Sequence, residues 1–144
     1  MKAISLWQPW ASLMAMGIKK NETRHWATFN RGPLLIHAAK RKPPKDELEL
    51  YWHILFNHGY TGGWLWDLPL GAILCRVDLV DCQQIGTENS PVETEIEYHM
   101  GNYEHGRFMW ITDNLLKLKQ PIPWKGAQGF FDVPEEVIRH AEAI

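Results

Sequence analysis

At 144 residues, with 45% hydrophobic and 22% charged side chains, the chain is long enough for one domain with its own core and too apolar for intrinsic disorder. No run approaches the roughly 18 apolar residues of a membrane span. The net charge of −2 conceals an asymmetry: residues 1–45 carry nine basic residues and one acid (+8), and residues 46–144 carry six basic and sixteen acidic residues (−10). Such segregation produces a positive face unless folding interleaves the two halves.

The chain opens with a short alternating strand, Lys2 to Leu6. Gln8, Pro9 and Trp10 interrupt the apolar N-terminus, so it reads as part of the fold rather than as a signal peptide. "QPWASLMAMG" predicts a helix with Pro9 in the first turn and Gly17 at the C-terminal cap. Residues Lys20 to Trp26 read as extended, which puts Glu22 and Arg24 on one face, roughly 6–7 Å apart. Leu34 to Ala38 is the clearest buried strand. "DELELYWHILFNHG" is a helix with Leu48, Tyr51, Trp52 and Leu55 on its apolar side, followed by a glycine-rich aromatic loop.

"GAILCRVDLVDCQQI" is the longest strand candidate, with Val77 and Leu79 inward and Arg76 and Asp78 outward. Its two cysteines, Cys75 and Cys82, are seven apart and face opposite ways, so no disulfide between them is expected, which fits a reducing cytoplasm. Residues 86–106 read as acidic and irregular, with a short helix near Val92 to His99. "RFMWIT" is a strand, "NLLKLKQPIPW" an extended continuation, "GFFDV" a last strand, and Pro134 opens a C-terminal helix. Five or six strands with helices inserted between them predict a small barrel-like α+β domain.

The densest chemistry lies in "GIKKNETRHW". Lys19 beside Glu22 and Arg24 reads as a phosphate-binding group, with Arg24 supplying a bidentate fork. The same residues also fit a proton-transferring Lys19–Glu22 pair, or an Arg24–Glu22 ion pair that merely stabilises the strand. Eight tryptophans are far above ordinary usage. Most belong to a core, and Trp52 and Trp110 read as pure core. Trp7 and Trp10 sit at a strand-to-helix corner beside the cations, where an indole stacks on an unpaired base and Gln8 reads a base edge. Lys40 heads a basic 40–42 cluster suited to tracking a phosphate backbone. Lys125 and Gln128 lie in a glycyl loop that either meets a phosphate or is an ordinary turn. His37 reads as a satisfied core histidine and Asp78 as a structural acid that could otherwise serve an enzyme site. The two cysteines do not stand at zinc-ligand spacing, so a structural zinc is not expected, nor is any other metal or cofactor.

Gly17, Lys19, Glu22 and Arg24 match G-x-K-x-x-E-x-R, and the chain thereby resembles the ASCH domain family. "ISLWQPWASLM", "GAILCRVDLVDC" and "PIPWKGAQGFFDV" resemble that family's entry, central strand and final hairpin, in the same order. The resemblance implies a single domain over residues 1–144 with the PUA-like fold, a small open β-barrel with helices near one mouth. It also implies a cytoplasmic protein that handles RNA or modified nucleosides, with the motif lining a cleft. Some members are described as amidohydrolases of an acylated cytidine that use the motif lysine, a threonine where this chain has Glu22, and a later carboxylate; Thr23 is one place on and would face the other way. Others are described as ribonucleases. The expectations are therefore an RNA- or nucleotide-binding module using Trp7, Gln8, Trp10, Lys19, Glu22, Arg24, Lys40, Lys125 and Gln128. The rivals are a hydrolase with Lys19 and Glu22 as catalytic groups, and a protein-interaction domain presenting its acidic 87–104 segment to a partner.

Overall fold

The computed structural model describes residues 1–86 and 94–141. Among these residues six strands form one sheet in the order β2-β5-β4-β3-β1-β6. They are β1 (Lys2–Leu6), β2 (Asn21–Arg24), β3 (Gly32–Ala38), β4 (Ala72–Gln84), β5 (Phe108–Pro123) and β6 (Phe130–Asp132). Among the described residues four helices are interleaved, α1 (Trp10–Ala15), α2 (Lys45–Asn57), α3 (Glu95–His99) and α4 (Glu135–Arg139), with one 3-10 turn at Gly63–Trp66. No helix among the described residues is long and apolar enough to cross a membrane.

The pattern of each strand follows from its place. β3 lies between β1 and β4, pairing parallel with the first and antiparallel with the second. Both its faces are covered, so Leu34 to Ala38 are all buried and the run is continuously apolar instead of alternating. β4 buries Val77 and Leu79 and leaves Arg76 and Asp78 half-exposed, as its alternation predicts. The two segments read as a strand and its continuation are one strand of 16 residues, β5. Its first half pairs with both β2 and β4, whereas residues 116–123 pair with β4 alone. Pro121 and Pro123 lie on that one-sided half, where a missing N–H breaks no ladder.

Register shifts between β4 and β5 after Ile73, Arg76 and Leu79 bend the longest ladder. The bending curls the sheet until its ends approach. Trp110 of β5 and Phe130 of β6 have three strands between them in sheet order, yet their rings stack at 5.5 Å. Trp26 meets both edge-on, at 4.7 and 5.8 Å. This aromatic plug and the apolar faces of β1, β3, β4 and α1 form the main core. A second cluster, with Leu13, Tyr51, Leu55, Leu65 and Met100, seats α2 beside α1. Trp52 departs from its expected core place: it is half-buried and stacks on exposed Phe56, with its indole against Gly62. The architecture is the α+β curled half-barrel that the PUA-like resemblance implies.

Candidate functional site

Residues 7–10 turn the chain from β1 into α1. Gln8 secures that turn from inside. Its amide nitrogen donates to Ser12 Oγ at 2.7 Å and to the Pro69 carbonyl at 2.9 Å, and its oxygen accepts from Ser12 N at 2.9 Å. With both ends of the amide committed and no exposed surface, Gln8 holds the corner and does not reach a base edge. Fixing the corner throws Trp7 outward, 56% exposed. Arg41 lies over one face of its ring at 4.2 Å and is itself held by Glu47 of α2 at 3.3 Å. Trp10 turns back over the helices, half-buried, donating from Nε1 to the Tyr51 hydroxyl at 2.9 Å and meeting that ring edge-on.

β2 supplies the charged floor. Alternation puts Glu22 and Arg24 on one half-exposed face, paired at 3.1 Å, and Asn21 and Thr23 on the buried face. Arg24 also donates from Nη2 to the Ser5 carbonyl at 2.8 Å, tying β2 to β1, while its Nε is buried and unpartnered. The Thr23 hydroxyl accepts from Asn102 N at 3.2 Å and the Thr23 carbonyl accepts from Arg107 at 3.2 Å, so this residue staples the 101–107 turn to the strand.

Lys19 is the anomaly. It is 1% exposed, and its Nζ makes no hydrogen bond and no ion pair within 4.0 Å among the described residues. Burial holds its amine below the ordinary lysine value, while the charges of Glu22 and Glu97 pull the other way. The surroundings are tight. A Cβ on Gly101 would come within 3.3 Å of Nζ and 2.8 Å of the Tyr103 ring, so a glycine there leaves room for the amine. Close by are Glu97, whose charge acts on the amine, and Tyr103, whose hydroxyl is pushed up by burial and by the Glu97 charge. One Glu97 oxygen accepts from Lys20 N at 2.6 Å.

Lys19, with Glu22 and Arg24, forms the floor of a hollow of about 670 Å³ whose walls include Trp7, Trp10 and Tyr51. Arg107 stands at its edge. A second hollow of about 830 Å³ shares Ser5, Trp7, Arg24 and His25 with the first and adds Lys40, Lys125 and Gln128. The structure thus gathers Trp7, Trp10, Lys19, Glu22 and Arg24 in one cavity, places Lys40, Lys125 and Gln128 in its neighbour, and withdraws Gln8. Asp78 lies elsewhere, accepting from Asn114 on the exposed side of the sheet. The acidic segment proposed for a partner lies partly outside the described residues, at 87–93. No group of three metal-ligating side chains occurs among the described residues.

Sequence reading missed Tyr51, Gly101 and Arg107. Tyr51 belongs by spacing to the apolar side of α2, and nothing in that spacing shows its hydroxyl turned toward Trp10. Arg107 is 83 positions beyond Arg24 and joins it only through the β2–β5 pairing, in which Arg24 faces Phe108.

The ASCH domain family matches residues 4–122, from β1 almost to the end of β5. Activating signal cointegrator 1 from Homo sapiens is 42% identical over 80 residues, and its counterpart from Mus musculus is 41% identical over 80. Each match covers 55% of this chain but only 14% of the relative. The crystal structure of ASCH from Zymomonas mobilis superposes with a TM-score of 0.54 at 14% identity, covering 96% of this chain and 90% of that one. The likeness of fold and the family match over most of the length agree: the chain belongs to the ASCH domain family.

Proposed function

We propose that the cleft binds RNA or a nucleotide, with a base against Trp7 and Trp10 and acceptor atoms at Lys19 and Arg24. The observation that carries this is the buried, unpartnered Lys19 amine on the floor of an aromatic-walled hollow. An unsatisfied buried cation is unfavourable in the free protein, and a ligand acceptor beside it removes that penalty. The hollow lies within the roughly 300–1,000 Å³ range of small-molecule sites. Trp7 is half-exposed and already held by Arg41, so little ordering is left when a base stacks on it. Fluorescence anisotropy with short labelled RNAs is the test: binding at low salt that falls as salt rises is expected, and absence of binding at low salt overturns the reading.

A second reading, hydrolysis of a modified nucleoside or of RNA, is favoured by the same amine. A lysine kept below its ordinary value beside Glu22 suits proton transfer. The threonine used by hydrolytic relatives has no counterpart, because Glu22 holds that position and the Thr23 hydroxyl faces Asn102. Acylated nucleosides and short RNAs incubated with the protein and read by mass spectrometry decide it. A product that disappears in Lys19→Ala supports turnover, and no product from any of them removes this reading.

A further inference from the structure

The two hollows differ in charge. The first contains a carboxylate, Glu22, among its cations. The second is bordered by Arg24, Lys40 and Lys125, with His25 and His37, and no acid at all. Its outer wall is the 124–129 loop, and that wall is built rather than draped. His37, 1% exposed, contacts the Trp124 carbonyl from Nε2 at 2.7 Å and Ser5 Oγ from Nδ1 at 2.7 Å. A carbonyl only accepts, so Nε2 carries a proton and donates it to Trp124, while Nδ1 and the Ser5 hydroxyl share the second bond. This chain of bonds ties the loop to β3 and β1. Gly126 rides so close to them that a Cβ there would fall 2.5 Å from Ser5 Oγ and 2.7 Å from His37 Cε1. Lys40 is steered in the same way from the other side. Its aliphatic stem crosses Gly71, where a Cβ would lie 3.0 Å from Cγ and 3.1 Å from Cε.

We infer that the second hollow is a phosphate subsite, so that the ligand is a single-stranded nucleotide chain: one base fills the Lys19 hollow and the adjoining phosphodiester sits among Arg24, Lys40 and Lys125. The inference rests on the proposed binding function and specifies its ligand. Arg24 and Trp7 belong to both hollows, so they mark the passage from base to phosphate. An acid-free cationic rim around a fixed loop matches a singly charged phosphodiester better than it matches a neutral base.

The test is a binding ladder by calorimetry, using a nucleoside, its 5′-monophosphate, a dinucleoside monophosphate and a trinucleotide. It is run on the wild-type chain and on Lys40→Gln/Lys125→Gln, whose substituted side chains are exposed and leave the fold intact. The wild type is expected to gain about tenfold in affinity when the phosphodiester and second residue are added. The double variant is expected to lose that gain, to show a shallower salt dependence, and to bind the nucleoside as before. A ladder that climbs equally in both proteins overturns the subsite while leaving the binding function standing. Equal affinity for every rung in the wild type does the same. No binding of any rung to the wild type overturns both.

Discussion

Two pairs of tryptophans, Trp7 with Trp10 and Trp64 with Trp66, are alike in the sequence: each lies within four residues, beside glycine or proline, and includes one half-exposed ring. Their surroundings make them different objects. Trp64 is part of the α2 cluster, and its Nε1 donates to the Thr61 carbonyl; Trp66 is exposed, and neither lines the hollow that holds Lys19. Trp7 and Trp10 stand over a buried amine and a guanidinium. Exposure of an aromatic ring therefore says little alone. It becomes a binding feature when the fold sets it beside charge that the protein leaves unpaired.

The sharpest way to break the comparison is to remove that charge. Lys19→Met keeps the unbranched apolar stem and deletes the amine, and it is expected to lower RNA affinity roughly 10- to 100-fold, the range of a charge-assisted hydrogen bond. It is also expected to stabilise the free protein, by about 1–3 kcal/mol at neutral pH, because an unsatisfied buried amine is gone. The pH dependence follows the same sign. A lysine whose value is lowered by folding makes the native state bind fewer protons than the unfolded state between that lowered value and 10.5. Wild-type stability should therefore rise with pH through that window, the penalty being complete below it, and Lys19→Met should flatten the rise. Thermal melts across the pH range check both, and a lower melting temperature in the variant would show the amine to be stabilised by its neighbours.

Substituting one ring of each pair tests the contrast directly. Trp7→Ala is expected to weaken binding by about 1–3 kcal/mol, the usual worth of a base stacked on an aromatic side chain, with a small change in melting temperature because the ring is half-exposed. Trp66→Ala, equally exposed, is expected to leave affinity unchanged. Equal losses in the two variants, measured by anisotropy against the same RNA, would show that binding follows surface aromaticity rather than the cleft.

Much of this arrangement is legible in the sequence because it is local. The period of two in β4, the apolar run of β3, and the spacing that puts Glu22 and Arg24 on one face each depend on a few neighbouring residues. The failures are of two kinds. Gln8, between two indoles, reads as an amide for a base edge, yet it is fully buried and bonds to the carbonyl of Pro69, 61 positions on, which a local pattern does not contain. The depth of Lys19 is likewise hidden. It comes from α3 and the 100–103 turn closing over it, and lysine is so seldom buried that no periodicity predicts it. Tertiary approach decides both.

The smallest expected effect concerns how Trp7 is held. Arg41 covers one face of the ring and is anchored in turn by Glu47, so the guanidinium acts on the ligand through the indole. Arg41→Gln should weaken binding by about 0.5–1 kcal/mol, the worth of a cation–π contact near the surface. A direct phosphate contact by Arg41 would produce a loss of similar size, so the single variant does not separate the two roles. A double-mutant cycle does: if Arg41 works by pre-ordering the ring, Arg41→Gln costs nothing further once Trp7 is alanine, and the coupling energy equals the single loss. Additive losses would instead assign Arg41 to the ligand itself, and would extend the cationic rim of the cleft by one residue.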